Sequence, residues 1–143
     1  PRGNPRAISG VADLTMPKLT FVNRQPGSGT RVLLDFHLRR ARIDASAIQG
    51  YVAEEFTHMA VAAAVVSGLA DVGLGVRSAA NALGLDFIPL GQEQYDLLFL
   101  RSFLESGKGE KLLEIIRSDD FRRAVEALGG YDARSSGEIF YRQ

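Results

Sequence analysis

The sequence predicts an α/β fold built on a mostly parallel sheet, and three observations carry that expectation. Short apolar runs with strand character alternate with helix-like segments; a glycine turn, Gly27-Ser28-Gly29, joins the first strand candidate to the first helix candidate; and two strand-then-helix units follow in succession, which argues for parallel pairing.

The elements follow in order. The opening Pro1-Arg2-Gly3-Asn4-Pro5 reads as an extended linker or strand edge, since two prolines and a glycine forbid regular helix. Ile8 to Leu14 fits one short helical turn stopped by Pro17, and residues 18–22 form the first strand. After the glycine turn, Leu33, Leu34, His37, Leu38 and Ala41 share one helix face, and Arg39, Arg40 and Arg42 make a solvated last turn at the negative helix pole. A second helix is expected to open at Glu54-Glu55, acidic as a first turn should be, to run apolar on all sides, and to end at Ser67-Gly68. Residues 71–76 read as a small glycine-bearing strand, 79–83 as a short helix, 85–90 as a strand ending near Pro89, and the apolar run 95–101 as a further strand. The tail predicts two helices, over 111–117 and after a cap at Ser118 or Asp119, with no regular element over 132–143.

Composition narrows the function classes. The 143 residues read as one domain, 1–143, able to bury a core, and the polar opening predicts a piece of a larger protein. With 17 basic residues offsetting 17 acidic ones, nothing in bulk charge favours nucleic acid or a membrane surface. Without cysteine there are no disulfides, thiolate nucleophiles or thiolate metal ligands, which agrees with a cytoplasmic setting. No apolar run approaches the ~20 residues that span a bilayer.

The chemistry concentrates in Asn23-Arg24-Gln25-Pro26-Gly27-Ser28-Gly29-Thr30-Arg31. A helix start carries unpaired N–H groups and partial positive charge, so Ser28, Gly29 and Thr30 there can hold an anion, and Arg24 and Arg31 add fork-shaped donors. The turn lacks the G-x-x-x-x-G-K-[ST] and G-x-G-x-x-G spacings, which removes nucleotide phosphates and dinucleotides. Thr57 and His58 lie near the start of the second helix; His58 fits an oxyanion donor or a packing histidine, while His37 fits the core. Neither histidine has an acidic partner at i+3 or i+4 in a ligand pattern, so no metal site is read. Ser28, His58 and Asp71 lack the G-x-S-x-G elbow of a triad, and no catalytic residue is read.

Taken in order, the Asn23-to-Arg31 stretch, Gly50-Tyr51 with Glu54-Glu55-Phe56-Thr57-His58, Gly68-Leu69-Ala70-Asp71-Val72-Gly73-Leu74-Gly75, Leu85-Asp86-Phe87-Ile88-Pro89-Leu90 with Glu93 and Tyr95, and Gly129-Gly130-Tyr131-Asp132 resemble the type II periplasmic-binding-protein-like domain. The version it looks most like is attached to molybdopterin-biosynthesis (MoeA-like) proteins and to helix-turn-helix regulators of molybdate metabolism. The resemblance runs from about Pro1 to Asp132. It implies a three-layer αβα lobe with a mostly parallel sheet, and a cleft closing on a small oxyanion against a first lobe that lies mostly outside this chain. It places Ser28, Gly29, Thr30, Thr57 and His58 around the ligand and Glu93 and Tyr95 near the crossing between lobes, while Arg24 and Arg31 enter as the charges that flank the turn. The ligand expected is molybdate, tungstate or an anionic molybdenum-cofactor precursor, with no covalently bound cofactor. Three settings remain open: an accessory domain of a biosynthetic enzyme, the effector domain of a transcription regulator, or a transport component. The incomplete lobe set predicts self-association.

Overall fold

A computed structural model describes residues 1–140. The chain divides into two compact units, Pro1–Leu90 and Gly91–Gln143. The first holds a three-stranded parallel sheet in the order β2-β1-β3, built from β1 (Phe21–Arg24), β2 (Glu54–Glu55) and β3 (Val72–Gly73). Asn23 pairs with Glu54 on one side of β1, and Phe21 with Val72 on the other.

Alternation along β1 separates two helical layers, because successive strand residues face opposite sides of the sheet. Phe21 packs with Leu34 and Leu38 of α1 (Gly29–Ala41), together with Ile8, Leu14, Leu19 and Ile48. Val22 packs with Val61, Ala64 and Val65 of α2 (His58–Val66). The crossover through α1 thus covers one face and the crossover through α2 the other, the αβα layering expected. Gly73 permits the closeness of the second layer: a methyl there would lie 2.5 Å from Val61 Cγ1 and 2.8 Å from Val22 Cγ1. α3 (Arg77–Ala82) follows β3.

Several expectations need correction. Residues 1–7 are not extended; they fold into two tight turns, Asn4 N–H to Pro1 O and Ala7 N–H to Asn4 O, with Arg6 paired to Asp71. The first strand begins at Phe21 rather than 18, since Lys18 is left-handed at φ 61°, a conformation no strand residue adopts. The segment 11–15 is a 3-10 turn. On α1, Leu34 and Leu38 are buried, Leu33 and His37 half-buried and Ala41 exposed, so the stripe fades at the last turn.

Glu54 and Glu55 form β2 instead of a helix start, because β1 captures their backbone; the helix waits for Thr57, whose Oγ1 accepts the Ala60 N–H at 3.0 Å. α2 is apolar throughout yet leaves Met59, Ala63 and Val66 exposed. Residues 85–90 are irregular: Ile88 packs into the α1-side core without entering the sheet, and Pro89 has no N–H for a ladder.

The second unit contains α4 (Arg101–Leu104), α5 (Gly107–Arg117) and α6 (Asp119–Ala127), one helix more than expected. Ser106 caps α5 and Ser118 caps α6; Gly129 and Gly130, both at positive φ, end the tail helix. The apolar run 95–101 is no strand, as no neighbouring strand takes up its backbone among the described residues; Leu98 is 98% exposed and Arg101 opens α4. The expectation of no regular element over 132–143 holds to residue 140, and residues 141–143 lie outside the described ones. No helix among the described residues is long and apolar enough to cross a membrane.

Candidate functional site

The order β2-β1-β3 defines a switch point at the carboxyl end of β1, where successive crossovers leave to opposite faces; open α/β sheets bind ligands in the crevice this creates. The loop 25–28 leads from that end into α1. Gly27 takes φ 84°, and the Ser28 hydroxyl donates to Gln25 O at 3.0 Å while its oxygen accepts the Arg31 N–H at 3.2 Å. Capping therefore occupies the Ser28 hydroxyl. The Gly29 and Thr30 N–H groups, next in the first turn, have no acceptor among the described residues.

Arg24, the last residue of β1, is only 8% exposed. Its Nε donates to Gln25 Oε1 at 3.1 Å and Glu55 O at 3.2 Å, its Nη2 to Phe56 O at 3.0 Å, and its Nη1 lies 3.0 Å from His58 Nδ1. A guanidinium carries five N–H groups, so one on each terminal nitrogen is left without a partner among the described residues. The acceptors of the Arg24 guanidinium are an amide, two backbone carbonyls and an imidazole, and no carboxylate among the described residues pairs with it. Gly75, in the loop after β3, lies beside the same imidazole: a Cβ there would be 3.7 Å from Nδ1. Arg24 and His58 thus join the end of β1 to the start of α2.

Arg31 has a different environment. Its side chain is 11% exposed and stacks on Tyr51, 4.1 Å from the ring centre. Nη1 reaches Arg24 O at 3.2 Å and Glu54 Oε1 at 3.3 Å, and Nε lies 3.4 Å from Asp35 Oδ1. The Tyr51 hydroxyl donates to Asp35 at 2.7 Å, and burial first, with that hydrogen bond next, pushes the phenol up from its ordinary range. Two carboxylates balance the Arg31 charge, and the guanidinium clasps β1, α1 and the approach to β2.

The structure brings Arg24, Ser28, Gly29, Thr30, Arg31, Thr57 and His58 to one end of the sheet. Glu93 and Tyr95 belong to the second unit, both exposed in the irregular segment before α4. His37 is half-buried on α1 with its ring edge-on to Phe36 at 5.6 Å. Asp71 serves the frame: it accepts from Thr20 N–H at 2.8 Å, Thr20 Oγ1 at 2.9 Å and Arg6 Nε at 3.1 Å, and the Thr20 N–H holds its carboxyl below the ordinary range. Sequence reasoning missed Gln25, Asp35 and Tyr51. Only Asp35 had a local signal, its i+4 spacing from Arg31 on a helix.

Residues 1–117 match the profile of a family described as the PBP superfamily domain. The chain is 38% identical over 142 residues to the uncharacterized protein YvgK of Bacillus subtilis (strain 168), covering 96% of this chain and 44% of that protein. It thus spans less than half the length of that relative. It is also 38% identical over 109 residues to an uncharacterized protein in the ferredoxin 2Fe-2S gene 5' region of Clostridium pasteurianum, covering 76% of this chain and 96% of the relative. No solved structure matches. The family profile takes in the whole sheet, both helix starts and the Arg24–His58 contact, and by that match the chain belongs to the PBP superfamily domain family, a ligand-binding type of domain.

Proposed function

We propose that the first unit binds a small oxyanion at the carboxyl end of β1, between the starts of α1 and α2. The observation that carries this reading is Arg24, a buried charge with no counter-ion among the described residues. Burying an ion without a partner is costly, and buried charges are ordinarily paired. An oxyanion supplies the missing charge, taking up the remaining N–H of Nη1 and Nη2 and the Gly29 and Thr30 amides; the Thr57 hydroxyl, whose oxygen accepts from Ala60, keeps its proton to donate. Arg31 and Ser28 hold the shape of the site from behind.

The resemblance of the motifs makes molybdate or tungstate, or an anionic group of a molybdenum-cofactor precursor, the ligand of choice, and an accessory role in molybdopterin cofactor biosynthesis the setting. Thermal unfolding with molybdate, tungstate, sulfate or phosphate, against chloride at equal ionic strength, tests the reading. A ligand at 100 times its Kd stabilises the folded state by about 2.7 kcal/mol. Unchanged unfolding with all four anions would sink it.

A further inference from the structure

We propose that anion binding at the end of β1 is coupled to protonation of His58; the proposal rests on the oxyanion reading above. A guanidinium donates and never accepts, so the 3.0 Å contact between Arg24 Nη1 and His58 Nδ1 requires a lone pair on Nδ1. With Nδ1 accepting in that contact, His58 is the neutral imidazole with its proton on Nε2. A second proton turns the contact into two donors facing each other and sets a new positive charge beside a buried one. A bound anion reverses that balance: it offsets both charges, and the Nη1 N–H released from His58 becomes a further donor to it. Proton and anion favour each other, by the reciprocity of linked binding.

Among the charges on the elements packed against α2, Arg24 is in direct contact with His58. α2 packs on β1, β2, β3 and α3. On β2, Glu54 is paired with Arg31, and Glu55 meets Arg24 through its carbonyl oxygen. Asp71, before β3, is paired with Arg6, and Arg77 of α3 lies over the Phe87 ring at 5.3 Å. Histidine changes charge between about pH 5 and pH 8, so the coupling operates there.

The test is calorimetric titration of the full chain with sulfate and with dilute molybdate at both ends of that window, in two buffers of different protonation enthalpy. Sulfate keeps both its charges throughout, so any change with pH comes from the protein. NMR of the imidazoles of His37 and His58, with and without sulfate, supplies a second readout. We expect sulfate affinity to rise about tenfold towards acid pH with proton uptake, and the His58 titration midpoint to move up by about one unit on saturation while that of His37 stays put. His58→Gln keeps an acceptor for Arg24 and cannot take the proton, so its affinity is expected to be flat with pH; should that variant not fold, the wild-type proton count and imidazole midpoints decide. Binding without proton uptake and with an unmoved His58 midpoint overturns the coupling and leaves the oxyanion reading standing. No binding of either anion at any pH overturns both.

Discussion

The guanidinium of Arg24 meets the imidazole of His58 at 3.0 Å, across the gap between the end of the central strand and the start of the second helix. That contact shows how the two arginines around the glycine turn differ. Arg31 lies between Asp35 and Glu54 with its charge balanced, whereas Arg24 is buried among amide, carbonyl and imidazole acceptors.

Arg31 is accordingly a clasp. Arg31→Lys keeps the charge and loses both the stacking on Tyr51 and the fork. We expect a stability loss of about 1–2 kcal/mol in urea unfolding with anion affinity within about threefold of wild type. An affinity loss beyond tenfold at unchanged stability would place Arg31 on the ligand instead.

Gly50 sets the approach to β2. Its φ is 93°, and a Cβ there would overlap the carbonyl of Phe21, whose N–H bonds Gln49 O at 2.9 Å. Gly50→Ala is expected to cost about 3 kcal/mol or more. Gly27→Ala, also left-handed but with nothing within 4 Å, is expected to cost about 1 kcal/mol. Equal urea midpoints for the two variants would contradict the backbone account.

Asp71 joins the start of β1 to β3 through Thr20 and holds Arg6. Because its folded carboxyl is held below the ordinary range, its contribution is complete above that range and disappears as pH falls through the lowered value. Asp71→Asn is expected to lose about 1–2 kcal/mol at neutral pH. The gap from wild type is expected to close below about pH 4. Acid titration of both proteins by circular dichroism checks this, and a gap that widens towards acid would be contrary.

The parts of the fold that local chemistry dictates were legible. The glycine turn leading into a helix and the Leu34–Leu38 stripe follow from residues within a turn of one another. What depended on distant partners was not. Glu54-Glu55 carries a good first-turn signal, yet parallel pairing with Asn23 and Arg24 overrides it. Residues 95–101 have strand chemistry without a neighbouring strand among the described residues. In the site, Arg24 and Arg31 look equivalent as neighbours of a glycine turn. The i+4 spacing hints at Asp35, but the reach of Arg31 to Glu54, 23 positions on, is visible only in the fold.

The central claim is that Arg24 carries an uncompensated charge that an oxyanion satisfies. Titration calorimetry of the wild type and of Arg24→Gln with molybdate tests it most directly. The account predicts saturable one-to-one binding by the wild type and at least a tenfold weaker affinity in the variant, as loss of a charge-assisted contact gives. Equal affinities, or no binding by the wild type, would contradict it.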